Sequence, residues 1–199
     1  MVKSLLTLLS PEREVIIGTT VNGRRQEALR QQLGFYINTL ALRSRRETGD
    51  SFVQYLQRVH GVLLEAMEHR DFPFSHLVGS LAPAVDHRRN PVFDVWIEYL
   101  ERDLGAHQNF ALAGVESRAL HRERGSSKFD LSFYFVETEA GLELHWEYNT
   151  ALFAAPTIDR FNRYFQQLLE QILATPEQAL RPTFLIREAD RQELLNWAP

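Results

Sequence analysis

The stretch from Leu33 to Arg43 constrains the fold of this chain more than any other segment. Nearly all its positions are apolar, aromatic or β-branched, and one amide side chain, Asn38, stands at its centre. Such a run predicts a strand buried on both faces in the middle of a sheet, although periodicity alone does not distinguish it from a buried helix. Because a buried amide needs hydrogen-bond partners, Asn38 is expected either to pin this strand to a neighbouring loop or to line a cavity.

Further patterns predict helices and a strand around this stretch. Residues 4 to 9 indicate a short helix that Pro11 ends, and Glu14 to Val21 indicate a strand that an Asn-Gly turn ends. Downstream, Asp50 is the predicted N-cap of a long helix that Pro73 stops. The apolar stripe of this helix consists of Phe52, Val53, Leu56, Val59, Leu63, Ala66 and Met67.

The second half of the chain predicts strands and a final helix. The run Val92 to Leu100 indicates a buried strand containing Trp96, and a short strand is predicted from Val115 to Leu120. The last long helix is predicted to start at Pro156 and to end before Pro176. Its apolar stripe consists of Ile158, Phe161, Phe165, Leu168, Ile172 and Leu173. Strands and helices therefore mix, which indicates an α/β chain.

The clearest local signal is a β-hairpin between these elements. Two alternating runs are joined through residues 138–141. One face of the hairpin carries the apolar residues Phe129, Leu131, Phe133, Phe135, Leu142, Leu144, Trp146 and Tyr148. The opposite face carries Asp130, Ser132, His145 and Glu147, and we expect it to face solvent or to border a cavity.

Charge and composition exclude several classes of function. A net charge of -4 provides no general attraction to nucleic acid. The chain has no cysteine, which fits a reducing compartment and excludes disulfides and thiolate metal ligands. Since no secretory leader or membrane-spanning run is present, we expect a cytoplasmic protein without a membrane partner.

One glycine pair invites comparison with a nucleotide-binding loop. Gly18 and Gly23 follow a strand at the spacing of a phosphate-binding loop. However, Arg24 replaces the lysine that would reach the phosphates, and Arg25 replaces the hydroxyl residue that would bind Mg²⁺. The residues that carry the chemistry of that motif are absent, so it does not support a nucleotide site.

Five short motifs, in order, give the chain a family resemblance. Gly34-Phe35, Asn38-Thr39 and Arg43 resemble the Gly-aromatic-x-x-Asn-Thr motif, closed by an arginine, of the condensation domains of nonribosomal peptide synthetases. His69 to Phe74, with Asp71, Pro73 and Phe74, resembles their His-x-Asp-x-Pro-Phe motif. The third is Asp86 to Phe93, which contains Arg89, Asn90 and Pro91, and the last two are Lys128 to Ser132 and Glu147 to Phe153.

The resemblance covers the second half of such a domain, and it carries expectations about fold and partners. It implies a chloramphenicol-acetyltransferase-like lobe, with a mixed β-sheet packed with helices, over residues 1–175. Residues 176–199 are expected to form a packed linker towards a following adenylation domain. The expected partners are the first lobe of the domain and peptidyl carrier proteins, whose phosphopantetheine arms present the substrates. No cofactor is expected to bind directly to this chain.

The resemblance also assigns roles to particular residues. It implies that Asn38, Ser127 and Asp130 lie near the substrate tunnel and that Arg88 and Arg89 hold loops together. We expect the other matched residues, including Gly34, Asp71, Asn90 and Pro91, to be structural. Arg43, Arg45 and Arg46 are read as surface arginines, and they are expected either to meet an acidic carrier protein or simply to be solvated.

The sequence carries no visible catalytic or metal-binding group. Condensation domains have a paired-histidine motif, His-His-x-x-x-Asp-Gly, whose second histidine is thought to act on the attacking amine. Here the histidines stand apart, at His60, His69, His76, His87, His107, His121 and His145. No His pair has the spacing of a metal site on a helix, and no nucleophile elbow is present. We therefore expect the chain to be inactive alone.

Three interpretations remain open at this point. The chain is the second lobe of a peptide-bond-forming condensation domain, or it belongs to a relative such as an epimerisation or catalytically inactive, partner-recruiting domain. Alternatively, it is a freestanding docking module. A large exposed apolar surface would argue against a freestanding module, because solitary domains rarely expose patches above a few hundred Å².

Overall fold

The computed structural model describes residues 1–24, 27–81, 89–101 and 125–187. The chain divides into two compact units. The first contains residues 1–16, 41–72 and 153–199, and the second contains residues 17–40 and 73–152. The predicted strand at 115–120 and the arginines Arg25 and Arg88 lie outside the described residues, as does the tail beyond Arg187.

The described chain contains both helices and strands. The helices are α1 (Val2–Leu9), α2 (Glu27–Arg30), α3 (Phe52–Glu68), α4 (Phe74–Leu81) and α5 (Ala155–Ala174), followed by a 3-10 helix at Pro182–Leu185. The strands are β1 (Glu14–Asn22), β2 (Ile37–Arg45), β3 (Val95–Leu100), β4 (Leu131–Thr138) and β5 (Gly141–Tyr148). The predicted α/β class is therefore confirmed.

The five strands form one mixed sheet in the order β2-β1-β3-β4-β5. β3 lies parallel to both β1 and β4, whereas β4 and β5 are antiparallel. Parallel pairs need long connections, and between β1 and β3 the chain forms α2, β2, α3 and α4. Ile17 of β1 and Phe133 of β4 are almost completely buried and belong to the core of the second unit.

The prediction of a central, doubly buried strand over Leu33–Arg43 is wrong. β2 begins at Ile37 and lies at one end of the strand order, beside β1 alone. Leu33 and Phe35 precede the strand and are 102% and 88% exposed, and Ile37 is also exposed. The segment is apolar, but an apolar composition does not show which surface, if any, covers the segment in the folded chain.

The long helix α3 exists as predicted, but a different residue caps it. Ser51 accepts a hydrogen bond from the Gln54 backbone nitrogen at 3.2 Å, and the Gln54 side chain caps Ser51 in return. Asp50 instead pairs with Arg58, with 2.5 Å between Oδ2 and a guanidinium nitrogen. Only Tyr55 of this helix is buried, so most of the predicted apolar stripe is partly exposed. Beyond Pro73, the chain forms the unpredicted helix α4.

The predicted hairpin is confirmed, and its register shows which residues share each face. Leu131 pairs with Tyr148, and Phe133 with Trp146, on the predicted apolar face. Thr138 pairs with Gly141, so the turn contains two residues and is one residue shorter at each end than predicted. On the opposite face Ser132 is only 1% exposed, which contradicts the expectation that this residue faces solvent. His145 on the same face is exposed, as expected.

The final helix and the residues after it pack within the first unit. α5 begins at Ala155 with Pro156 in its first turn, and its buried residues are Ile158, Phe165, Leu168 and Ile172. Leu173, predicted to share this stripe, is 74% exposed. After α5, Leu180, Phe184 and Leu185 are buried, and the Leu180 nitrogen donates to the Asp50 carbonyl at 2.8 Å.

Sequence reasoning missed a buried lysine in α1. The Lys3 side chain donates to the Leu42 carbonyl at 2.7 Å and to Ser44 Oγ at 2.9 Å, and Ser44 in turn contacts the Tyr55 hydroxyl at 3.3 Å. No carboxylate pairs with Lys3 in the part of the chain that the structure describes. Burial consequently lowers the pKa of Lys3 to about 8.

Candidate functional site

Arg89 joins the loops that lead into β3 and β4. One terminal guanidinium nitrogen lies 2.5 Å from Asp130 Oδ2 and 3.1 Å from Asp94 Oδ1. The two carboxylates, Asp94 first and then Asp130, raise the pKa of Arg89. The arginine side chain is 55% exposed, so solvent weakens the attraction and the pair contributes modestly to stability. Its geometric effect is to fix the distance between the two loops.

Hydrogen bonds from the neighbouring motif residues shape the same loops. Asn90 Oδ1 accepts from the Val92 and Phe93 backbone nitrogens at 3.0 and 3.2 Å, which turns the chain into β3. The Asp130 nitrogen donates to the Asp94 carbonyl at 3.0 Å, and the Ser127 hydroxyl donates to the Phe129 carbonyl at 2.5 Å. Four predicted motif residues, Arg89, Asn90, Ser127 and Asp130, are therefore brought together.

These residues surround a small cleft, which we call the Arg89 cleft. Its volume is about 50 Å³. Sequence reasoning did not single out its polar lining residue Asp94, whereas Asn149 belongs to the last of the five motifs. A cleft of this size holds one or two water molecules rather than an acyl chain. The full lining is Arg89, Asn90, Phe93, Asp94, Ser127, Lys128, Phe129, Asp130 and Asn149.

Asn38 lies elsewhere in the second unit, at the start of β2. Its side-chain oxygen accepts a hydrogen bond from the Phe74 backbone nitrogen at 3.3 Å. This contact holds the start of β2 against the first residue of α4, because that nitrogen has no partner within its own helix. Of the two roles expected for Asn38, this hydrogen bond matches the one that pins the strand to a neighbouring segment. The role in the substrate tunnel remains a prediction. Asn38 does not line the Arg89 cleft.

The remaining motif residues have local structural surroundings. The Gly34 carbonyl accepts from the Arg24 guanidinium at 3.1 Å, and that guanidinium lies 4.6 Å from the centre of the Tyr36 ring. Pro73 and Asp71 are exposed, and they stand directly before α4. Phe74 contacts Phe93 with ring centres 5.6 Å apart. Arg24 is thus engaged with protein groups at the position where a phosphate-binding loop has its lysine.

The three arginines predicted to be on the surface differ from one another. Arg43 pairs with Glu14 at 3.0 Å, and this hydrogen bond lowers the pKa of the Glu14 carboxyl. Arg45 lies 3.8 Å from Glu47. The prediction for Arg46 is wrong, because Arg46 is buried and donates to the Thr7 hydroxyl and carbonyl. Its guanidinium group therefore donates hydrogen bonds to α1.

Arg43 and Arg45 line a broad surface cavity of about 550 Å³, which we call the Glu14 cavity. Two carboxylates, Glu12 and Glu14, line the same cavity. Arg13 also lines it, so the two carboxylates offset two of three positive charges, which weakens the case for an acidic carrier protein at this place. The carrier role of these arginines is not tested by the geometry and stays a prediction.

Four of the seven histidines lie in the described ranges. Among the residues of those ranges no group of three or more His, Asp or Glu side chains could hold a metal ion. The histidines that the structure describes, His60, His69, His76 and His145, are exposed, and His145 lies 3.2 Å from the Glu143 carboxylate. No described helix is both long and apolar enough to cross a membrane.

Comparison with known proteins gives a consistent result. A model of the condensation domain matches residues 1–195. Surfactin synthase subunit 1 from Bacillus subtilis (strain 168) is 33% identical over 193 residues, which is 97% of this chain and 5% of that protein. Bacitracin synthase 1 from Bacillus licheniformis is 33% identical over 192 residues, which is 96% of this chain and 4% of that protein. The chain therefore spans a small part of these relatives.

Solved structures share the fold. A four-domain nonribosomal peptide synthetase bound to AMP and glycine has a TM-score of 0.80 at 24% identity, covering 94% of this chain and 15% of that one. The X-domain in complex with OxyB from teicoplanin biosynthesis has a TM-score of 0.74 at 22% identity, covering 90% and 40%. The starter condensation domain of the rhizomide synthetase RzmA has a TM-score of 0.67 at 18% identity, covering 90% and 41%. This likeness confirms the predicted chloramphenicol-acetyltransferase-like fold, with a mixed sheet packed with helices.

Proposed function

Because this chain belongs to the condensation-domain family, we propose that it is the C-terminal lobe of a condensation domain that forms peptide bonds in a nonribosomal peptide synthetase. In this role it lines one side of a substrate tunnel and contributes no general base. The first lobe, the peptidyl carrier proteins and an adjacent adenylation domain are its proposed partners. Residues 176–199 form the linker towards the adenylation domain, and the proposed location is the cytoplasm.

The observation that carries this proposal is the exposed apolar segment directly before Asn38. Leu33, Phe35 and Ile37 are 102%, 88% and 51% exposed, although this segment matches a family motif. Burying such side chains stabilises a protein by roughly 1.5 to 3 kcal/mol each. A partner surface that covers the segment explains why the sequence keeps it apolar, and we assign that surface to the first lobe.

Two further observations support half-domain status. The chain matches 41% of the length of the RzmA starter condensation domain while 90% of its own length is covered. In addition, the sequence contains no adjacent histidines and hence no paired-histidine motif. Both facts are consistent with a lobe that relies on its partner for the catalytic base.

The proposed chemistry is acyl transfer between two carrier-bound substrates. The amine of the acceptor attacks the carbonyl of the donor thioester, the carbon–sulfur bond breaks, and the amide forms. The amine proton leaves through the base on the first lobe, and the donor phosphopantetheine regains its thiol. This chain contributes Asn38 to the tunnel wall, while Arg89 and Asp130 hold the adjoining loops at a fixed spacing, as positioning residues.

The deciding experiment is a single-turnover peptide-bond assay with loaded donor and acceptor carriers. It compares this chain alone, a separately expressed first lobe alone, and the mixture of both. We expect product only when both lobes are mixed, because the base and this part of the tunnel wall come from different lobes. A first lobe whose second motif histidine is changed to Ala serves as the control and should abolish product. Product from this chain alone would contradict the proposal.

A partner-docking role is the second candidate. A domain of similar fold, the X-domain of teicoplanin biosynthesis, is found in a complex with OxyB. If loaded carriers or a partner enzyme bind to the mixture of lobes but no amide appears, this docking role replaces the catalytic one. An epimerisation domain would instead change the configuration of the carrier-bound donor, which chiral analysis of the released acid detects.

We predict that Asn38→Ala lowers turnover of the assembled domain about tenfold, the effect of losing one hydrogen bond of about 1.4 kcal/mol in the transition state. The change also removes the acceptor of the Phe74 nitrogen and should lower stability by roughly 1 kcal/mol. Asn38→Asp is the matched control, because it keeps a side-chain oxygen for Phe74. If a folded Asn38→Ala variant kept the wild-type turnover, Asn38 would have only a structural role, as the partner of the Phe74 nitrogen.

A further inference from the structure

A groove of about 380 Å³ runs along one face of α5, and we call it the α5 groove. Four of its lining residues, Arg160, Arg163, Tyr164 and Gln167, follow the spacing of one helix face and extend over about 10 Å. Leu185, Ile186 and Arg187 complete it from the end of the 3-10 helix and the residues after it. The groove thus has a polar wall on α5 and an apolar floor.

The α5 groove carries positive charge that no carboxylate among the described residues balances. Three guanidinium groups line it, and no Asp or Glu does. Within residues 1–24, 27–81, 89–101 and 125–187, Arg160, Arg163 and Arg187 form no ion pair. The Glu14 cavity and the Arg89 cleft differ, because Arg43 and Arg89 there pair with carboxylates. This contrast is notable in a chain whose net charge is -4.

A hydrogen-bonded amide fixes Arg187 at one end of the groove. In the amide orientation that satisfies both partners, Gln167 donates to the Leu185 carbonyl and its oxygen accepts from Arg187 Nε at 3.0 Å. This contact links α5 to the segment after the 3-10 helix and uses only one nitrogen of the guanidinium. No other described residue bonds to the two terminal nitrogens of Arg187, so they can bind a ligand.

We propose that the α5 groove binds an organic phosphate monoester. A carboxylate offers two oxygens, which a single arginine fork satisfies, whereas a phosphoryl group offers three and carries a charge of about -1.5 to -2 at pH 7. Three guanidinium groups therefore suit a phosphoryl group better than a carboxylate. The groove volume lies in the range of small-molecule sites and exceeds what inorganic phosphate fills. The ring of Tyr164 and the side chains of Leu185 and Ile186 cover the organic part.

The test is calorimetric titration of the whole chain with phenyl phosphate and with inorganic phosphate, at constant ionic strength set with NaCl. We expect phenyl phosphate to bind several-fold more tightly, because its ring buries apolar surface in the groove. In Arg160→Gln/Arg163→Gln, affinity should fall at least about tenfold. Arg43→Gln/Arg45→Gln removes the same charge from the Glu14 cavity and should keep the wild-type affinity. Arg187→Gln provides a second groove variant if the double variant does not fold.

Three outcomes would overturn the proposal. The first is the absence of binding above the NaCl baseline. The second is an equal loss of affinity in the groove and control double variants, since binding would then follow net charge alone. The third is tight binding of a tetraglutamate peptide with no binding of phenyl phosphate, which would assign the groove to an acidic protein segment. The proposal does not depend on the condensation role, so the peptide-bond assay and this titration fail independently.

Discussion

Replacing Gly18 by Ala should lower the free energy of unfolding by about 3 kcal/mol, a change of more than a hundredfold in the folding equilibrium. A methyl group built at this position lies 2.1, 2.2 and 2.6 Å from three ring carbons of Phe93. Phe93 is 3% exposed, and its ring packs against Phe74, Trp96 and Phe129. The ring cannot move away without disturbing three other aromatic side chains, so the methyl group forces β1 and β3 to shift.

Urea unfolding followed by tryptophan fluorescence measures this effect. Gly61→Ala is the matched control, because a methyl group there meets nothing within 4 Å in the middle of the exposed face of α3. That change should raise stability by roughly 0.5 to 1 kcal/mol through helix propensity. Adding Phe93→Leu to Gly18→Ala should recover part of the loss. Equal urea midpoints for Gly18→Ala and the wild type would show that the packing at this position is looser than described.

The second large effect concerns Lys3 and pH. Burial lowers the pKa of Lys3 from its ordinary 10.5 to about 8, so in this interval the unfolded chain holds a proton that the folded chain has lost. Stability rises with pH wherever the unfolded state binds more protons. The Lys3 contribution therefore penalises folding fully below pH 8, and the penalty is relieved as pH rises above 8. We expect a relative gain of about 2 kcal/mol between pH 8 and pH 10.

The measurement is the difference in free energy of unfolding between wild type and Lys3→Met across this interval. Above pH 10 a second group intervenes, because burial raises the pKa of Tyr55 and favours the unfolded chain at high pH. The chain contains one other lysine, Lys128, which is exposed. Lys128→Met is the control and should leave the pH dependence unchanged. A constant difference between wild type and Lys3→Met from pH 8 to 10 would contradict a buried cation at this site.

Local sequence signals predicted several elements because short-range interactions decide them. The hairpin at β4 and β5 alternates apolar and polar residues and turns at a glycine, so its register follows from neighbouring residues alone. The start of α5 near Pro156 and its end before Pro176 are likewise local, since proline fits the first turn and cannot continue a helix.

The candidate site was predicted as a set of motif residues rather than as a geometry. The resemblance singled out Arg89, Asn90, Ser127 and Asp130, which the structure gathers around the Arg89 cleft. It did not indicate that Arg89 pairs with Asp94 as well as with Asp130, because the contact with Asp94 depends on how the loops before β3 and β4 meet. Asn149 belongs to the last of the five motifs, but the motif alone does not indicate that Asn149 lies in the same cleft as Arg89.

The α/β class, the family resemblance and the elements whose signals lie within a few residues were all predictable from the amino-acid sequence. Three features depend on the folded chain instead: β2 lies at the end of the strand order, Leu33 and Phe35 are exposed, and Lys3 is buried against Leu42 and Ser44. The physical reason is that burial depends on which distant segments pack on a residue. A run of apolar side chains indicates that its burial is favourable. Which surface buries it depends on the fold of the chain or on a partner.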